Sequence, residues 1–246
     1  DATQGRFYLE KISILEKLQK NKEILESAQI FSNFCPWKSV TSTALTKGYL
    51  YNGKYDLAVK SATEGINRHP DVKTLLLERS IAYGMLGEED REKADFDKFI
   101  TLSLETTSKD ASSEAESRAS FYYSRGIFYK ELGRYEKAIE SLTTAIELNP
   151  KDEQNWCARG CSHYKNGDYQ KAISDCNNSL ALNSCRVHPY LTRGSAYREI
   201  GDFEKSLNDL DKAAEMSPGW GEVFYERSQL YKKLYKTDLA KADLRL

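Results

Sequence analysis

Glycine, aromatic and small apolar positions recur along the chain with a period of 34 residues. An aromatic residue follows the second glycine of each unit by two positions, and a small residue follows it by five. The two glycine series are Gly126, Gly160 and Gly194, and Gly133, Gly167 and Gly201. A period of this length is typical of arrays in which each helical pair buries its apolar face against its neighbours. The pattern therefore predicts an all-α chain of stacked helical pairs.

The two glycines of a unit, at its positions 8 and 15, predict different local structures. A glycine at position 8 lets the first helix approach its partner closely, because glycine has no side chain. A glycine at position 15 ends that helix, because it adopts positive φ at little energetic cost. Pro150 and Pro218, at position 32, are expected to stop the second helix of their units.

The order of aromatic, Gly, aromatic, Gly-x-aromatic, Ala, Ala and Pro resembles the tetratricopeptide repeat. The resemblance implies a right-handed superhelical solenoid of about seven helix-turn-helix units. Ile24, Ala28 and Phe31 take core positions of the first unit, which Pro36 closes. The expected segments are 5–38 as a degenerate unit, 39–72 as a repeat, 73–106 as a repeat with a two-residue insertion, 107–118 as an acidic Ser/Thr-rich loop or helix extension, 119–152, 153–186 and 187–220 as repeats, and 221–246 as an incomplete repeat.

Arginine occupies position 7 in five units, and a carboxylate often follows 16 residues later. The arginines are Arg79, Arg125, Arg159, Arg193 and Arg227. The expected partners are Asp175, Asp209 and Asp243, with Asp97 after Arg79 because of the insertion, while Ser141 interrupts the pattern after Arg125. The arginines could bind an external anion, or each could bridge the two helices of its unit. Because the planar guanidinium suits a bidentate carboxylate and both members recur, we favour the structural ladder.

In the tetratricopeptide family, positions 2, 5, 9 and 12 of the first helices face a segment bound in the concave groove. Carried over to this chain, the resemblance implies these groove residues: Tyr123, Ile127, Lys130, Cys157, Cys161, Tyr164, His188, Leu191, Arg198, Tyr225, Gln229 and Lys232. Apolar and aromatic residues with basic tips suit a peptide or an amphipathic helix that carries a few acids. The Lys and Asn pattern with which the family holds acidic chaperone tails is missing, so docking of these tails is disfavoured.

Cys157, Cys161, Cys185 and His188 form a second candidate site. Three thiolates and an imidazole are a chemically sensible zinc set, provided that the fold brings them together. Their spacing matches no known zinc finger, and small apolar cysteines lining a groove are the favoured explanation. We therefore expect no metal and no cofactor. The chain has no recognisable catalytic or nucleotide-binding motif, so we do not expect an enzyme.

Composition narrows the classes of partner. The chain has 36 basic and 37 acidic residues and a formal net charge of −1, which gives no overall attraction to nucleic acid or anionic membrane. No apolar stretch approaches the ~20 residues needed to span a bilayer, so membrane insertion is not expected. Five cysteines without a disulfide framework, and a charged segment at residues 1–20, predict an intracellular, cytoplasmic protein. The start at Asp1 and the end within a helical pattern favour a fragment of a longer chain.

These features favour a protein-interaction scaffold that holds a peptide or helical segment of a partner in its groove. Two alternatives remain open at this stage. The chain could be an architectural element that self-associates into a homo-oligomer, or the regulatory domain of a larger enzyme.

Overall fold

The computed structural model of the chain describes residues 7–8, 10–12, 14–15, 20–34, 39–105 and 111–244, and all regular secondary structure among them is helical. Pro36 and residues 107–110 of the predicted acidic segment lie outside the described residues. The helices with defined bounds are α1 (Asn21–Phe34), α2 (Ser39–Tyr51), α3 (Tyr55–Arg68), α4 (Lys73–Leu86), α5 (Glu89–Leu104), α6 (Ala111–Glu131), α7 (Tyr135–Leu148), α8 (Glu153–Lys165), α9 (Tyr169–Leu182), α10 (Val187–Glu199), α11 (Phe203–Met216), α12 (Gly221–Lys233) and α13 (Thr237–Asp243).

The chain divides into two compact units, Asp1–Glu114 and Ala115–Leu246. In the first unit, each helix from α1 to α5 packs on the next, and α2 also contacts α4. In the second unit, each helix from α7 to α13 packs on the next, while α8 contacts α10 and α10 contacts α12. The predicted all-α solenoid of helix-turn-helix pairs is confirmed. No helix in the described ranges is long and apolar enough to cross a membrane.

The most N-terminal part of the first unit contains a hydrophobic cluster. Ile24, Ala28 and Phe31, the predicted core positions of α1, are completely buried. A preceding helical segment contributes Ile12 and Leu15, which pack in the same cluster as Ile24 and Ala28. This cluster forms although the segment lacks the glycines of the regular repeats, because burial of apolar area, and not glycine, supplies most of the stabilisation.

The turn inside each regular helical pair is closed by a glycine in the left-handed conformation. The glycines are Gly53, Gly87, Gly133, Gly167 and Gly201, with φ between +69° and +85°. At Gly133 the turn is a Schellman motif, in which the N–H of Arg134 donates to the carbonyl of Tyr129 and that of Gly133 to Lys130. The last turn has the same two bonds, but Tyr235 stands at the glycine position with a φ of +59°.

Replacing Tyr235 with glycine is expected to raise the free energy of unfolding by about 0.5–1 kcal/mol. A left-handed non-glycine residue is strained by roughly 1–2 kcal/mol, part of which is offset by the larger entropy of glycine in the unfolded chain. The tyrosine ring is 91% exposed, so little packing is lost. Urea denaturation measures the change. The reciprocal control, Gly201→Ala at a φ of +85°, should destabilise by about 1 kcal/mol, and a less stable Tyr235→Gly variant would contradict the argument.

The register of α5 differs from the sequence-based prediction. This helix begins two residues after Gly87, which is the same interval as in the other pairs. Arg79 therefore pairs with Asp95, and the predicted partner Asp97 is wrong. Glu92 occupies position 20 of this repeat, where the other regular repeats have a small residue, and it is only 4% exposed.

Candidate functional site

Each of four ladder arginines joins the two helices of its own pair through a bidentate ion pair. Nε and Nη2 donate to the two carboxylate oxygens over 2.7–2.9 Å. The pairs are Arg79 with Asp95, Arg159 with Asp175, Arg193 with Asp209, and Arg227 with Asp243. In the fourth repeat, Ser141 takes the carboxylate position and donates to the carbonyl of Lys137.

A third contact of the same arginines was missed by the sequence analysis. The Nη1 group donates to a side chain 16 residues earlier, on the second helix of the preceding pair. These acceptors are Thr63, Thr143, Asn177 and Asp211. All three nitrogens of each guanidinium are thus engaged within the protein. The geometry favours a brace between neighbouring repeats over a binding ladder for an external anion.

A concavity lies between the first helices of three consecutive pairs in the second unit. We call it the α6–α8–α10 concavity. Its lining residues are Tyr123, Ile127, Lys130, Glu153, Gln154, Cys157, Ala158, Cys161, Arg186, His188, Pro189 and Thr192. On α6 these residues are spaced by four and three positions, which places them on one helix face. Six residues of the predicted groove set are therefore brought together here.

The floor of this concavity is apolar. Ile127 and the thiols of Cys157 and Cys161 contribute to it, and burial raises the pKa of Cys157 to about 12. The thiol of Cys157 is consequently uncharged at neutral pH and acts as a small apolar group. Burial also raises the pKa of the Tyr123 hydroxyl. This floor can accept an apolar side chain.

The rim of the concavity carries charge. Arg186 donates to Glu153 Oε1 from Nη2 over 2.8 Å and from Nε over 3.0 Å, so these two side chains neutralise each other. The His188 ring packs against Trp220 with centroids 4.5 Å apart, and burial lowers the pKa of His188. Lys130 is half-buried and forms no ion pair with any residue that the structure describes. One uncompensated positive charge therefore remains beside an apolar floor.

A second surface depression lies between α10 and α12, and we call it the α10–α12 concavity. It is lined by Arg198, Glu199, Tyr225, Glu226, Gln229, Lys232 and Lys233. Tyr225 is 52% exposed there. Most of its lining residues are charged, and it brings together four further residues of the predicted groove set.

Arg198 is not the free basic tip that the sequence predicted. Its side chain is only 6% exposed and forms ion pairs with Glu226 and Glu199, while Nη2 donates to the Tyr164 hydroxyl over 3.3 Å. Lys233 also pairs with Glu199, over 3.2 Å. The charge of Arg198 is therefore used to join first helices of successive pairs.

Leu191 and Tyr164 are positioned differently from the other predicted groove residues. Leu191 is 6% exposed and belongs to a core cluster with Leu210 and Val223, so little of its side chain is accessible to a bound segment. On α10, the helix face that carries position 5 of the repeat packs against residues of α11 and α12. Tyr164 packs beside a small cluster around Ile173, and its hydroxyl accepts the bond from Arg198.

The candidate zinc residues are only partly assembled. Cys157, Cys161 and His188 line the α6–α8–α10 concavity, whereas Cys185 is not among its lining residues. Within the described part of the chain, no group of three or more His, Cys, Asp or Glu side chains could hold a metal ion.

Five charged residues of the two concavities were absent from the sequence-based set: Glu153, Arg186, Glu199, Glu226 and Lys233. Glu199 and Lys233, like Tyr164 and Arg198, are 34 residues apart, so each pair occupies equivalent positions in adjacent repeats. The spacing of 34 residues is visible in the sequence. It indicates a contact between the two side chains only when the first helices of adjacent repeats are known to lie side by side. Glu153 and Arg186 stand at the two ends of one repeat and carry no comparable signal.

Comparison with known proteins shows that part of the second unit is similar to a known repeat family. Models of the tetratricopeptide repeat match residues 119–152, 154–184 and 187–219. The human tetratricopeptide repeat protein 13 is 29% identical over 99 residues, which are 40% of this chain. The match spans only 11% of the length of that relative.

Two solved structures are similar in fold. A tetratricopeptide repeat protein from Parabacteroides merdae shares 20% identity and a TM-score of 0.52, over 98% of this chain and 91% of its own. The Cut9–Hcn1 hetero-tetramer of the APC/C has a chain with 18% identity and a TM-score of 0.51, over 95% of this chain and 44% of its own. These similarities concern the fold alone.

Proposed function

We propose that the chain is a protein-interaction scaffold whose second unit binds a peptide segment of a partner along α6, α8, α10 and α12. The match of residues 119–152, 154–184 and 187–219 to models of the tetratricopeptide repeat supports this proposal. The observation that carries the proposal is the α6–α8–α10 concavity. It combines an apolar floor at Ile127 and Cys157 with the uncompensated charge of Lys130. An apolar pocket lets a bound peptide bury apolar surface, and a few oriented polar groups fix the position of the peptide along the groove.

The groove hypothesis can be tested with a random dodecapeptide library displayed on phage and selected on the chain. We expect selected peptides to bind, and Ile127→Asp to weaken their binding by about tenfold or more, because it places a charge in the apolar floor. Fluorescence anisotropy of the labelled peptides measures the affinity. Tyr123→Ala and Tyr225→Ala should weaken binding as well, whereas Tyr164→Ala is unsuitable because this ring supports packing.

Leu182→Asp provides the matched control for Ile127→Asp. Leu182 lies on α9, is 46% exposed and lines neither concavity, so this variant should bind the peptides normally. Thermal melts establish that both variants are folded. Equal affinity of the two variants for the selected peptides, or a library from which no binder emerges, would refute groove binding.

A further inference from the structure

The charges that line the two concavities leave two lysines without a counter-charge. Five cations and three anions line them, and every anion is paired. Glu153 pairs with Arg186, Glu226 with Arg198, and Glu199 with both Arg198 and Lys233. Among the described residues, Lys130 and Lys232 have no ion-pair partner. The other charged residues that line the two concavities are all in ion pairs, so the two lysines are the positive charges that a ligand can meet there.

Lys130 and Lys232 occupy the same position of their repeats and lie at opposite ends of the second unit. They are separated by three periods of 34 residues, and the equivalent positions between them are Tyr164 and Arg198. Those two side chains are hydrogen-bonded to each other, and Arg198 is neutralised by carboxylates. At position 12, the first and last repeats of this unit therefore carry an unpaired lysine, whereas the two residues between them are engaged in contacts within the protein.

The distance between the lysines follows from helix packing. Neighbouring packed helices lie about 8–10 Å apart, and three such steps lead from α6 to α12. The three steps therefore span about 24–30 Å, and an extended peptide that advances about 3.3 Å per residue connects the two ends with roughly eight residues. The lysines are also several Debye lengths apart at physiological salt, because that length is about 8 Å. Each lysine must therefore meet its own anion.

Resting on the proposed function, we propose that the partner segment is an extended peptide with two acidic side chains about eight residues apart, one held by Lys130 and the other by Lys232. Its intervening residues are uncharged, and an apolar side chain next to the first acid enters the α6–α8–α10 concavity beside Ile127. A contiguous run of acids fits less well, since it reaches only one lysine. A basic segment is repelled at both ends.

Three labelled peptides with the uncharged core of a library-selected binder test this charge pattern. The first has aspartates about eight residues apart, the second has asparagines there, and the third has two adjacent aspartates at one end. We expect the spaced aspartates to bind about tenfold more tightly than the asparagines and about threefold more tightly than the adjacent pair. Lys130→Gln and Lys232→Gln should each lower the affinity for the peptide with spaced aspartates about threefold. The double variant should bind the aspartate and asparagine peptides equally well.

Lys212→Gln is the matched control, because it removes the same charge from α11 outside both concavities. It should leave the preference for spaced aspartates intact. Equal binding of aspartate and asparagine peptides, or of spaced and adjacent aspartates, overturns the inference while groove binding stands. If none of the three peptides binds the wild-type protein, both proposals are overturned.

Discussion

Replacing Asp209 with alanine is expected to lower the free energy of unfolding by about 3 kcal/mol. The Asp209 side chain is 3% exposed and accepts two bonds from Arg193, from Nε over 2.7 Å and from Nη2 over 2.8 Å. The variant leaves a largely buried guanidinium without its carboxylate, and removal of one partner from a buried ion pair typically costs about 3–5 kcal/mol. Partial exposure of Arg193, at 19%, places the expected loss at the lower end.

Urea denaturation followed by circular dichroism measures this loss, with Glu215→Ala as the control. Glu215 forms an exposed ion pair with Lys212, 70% and 52% exposed respectively, so its removal should change stability by less than about 1 kcal/mol. Replacing both Arg193 and Asp209 with apolar residues of similar size should recover part of the stability, because no buried charge is then left alone. A loss below 1 kcal/mol in Asp209→Ala would mean that the ladder does not stabilise the fold.

The ladder also explains why one substitution should affect more than one repeat. Arg193 bonds Asp209 in its own pair and Asn177 in the preceding pair, and the other ladder arginines follow the same scheme. In solenoids each repeat is stabilised mainly by its neighbours. The Asp209→Ala variant should therefore lose unfolding cooperativity, seen as a lower dependence of the unfolding free energy on urea concentration.

Gly126→Ala should destabilise the protein by about 1–2 kcal/mol, although alanine is the better helix former. An added Cβ would lie 2.6 Å from Cγ and 3.0 Å from Cδ2 of Leu142 on α7. Leu142 is completely buried and has no room to move away. Overpacking of this kind costs about 1–3 kcal/mol, which exceeds the gain of roughly 1 kcal/mol in helix propensity. Thermal or urea denaturation provides the measurement.

Gly221→Ala is the control for this substitution. Nothing lies within 4 Å of a Cβ at Gly221, so stability should be unchanged or slightly higher. Leu142→Ala alone should cost about 2–5 kcal/mol through the cavity that it leaves. The double variant Gly126→Ala/Leu142→Ala should cost less than the two single variants together, since the new methyl group occupies part of that cavity. Strict additivity would show that the two helices do not meet at Gly126.

Much of the architecture could be predicted because it follows from local chemistry repeated at one period. Gly133 ends α6 since its left-handed φ is cheap only for glycine, and Pro150 follows the end of α7 by two residues because proline cannot continue a helix. The Arg159 and Asp175 pair was predictable for the same reason: both residues belong to one helical pair with fixed geometry. Asp97 was wrong as the partner of Arg79 because the other repeats have a small residue at position 20, which suggested a two-residue insertion. The structure has no such insertion and buries Glu92 at that position.

The sequence by itself determined the repeat length, the helical class and the residues that face each other within a pair. These properties depend on neighbours at most about 20 residues away along the chain, for which φ preferences and side-chain size are decisive. Tertiary structure decided which predicted groove residues remain available. Leu191 is buried by the following pair and Arg198 is paired with Glu226 across neighbouring helices, while Lys130 has no ion-pair partner among the described residues. Burial and charge compensation are set by contacts between repeats, which the period of a single repeat does not contain.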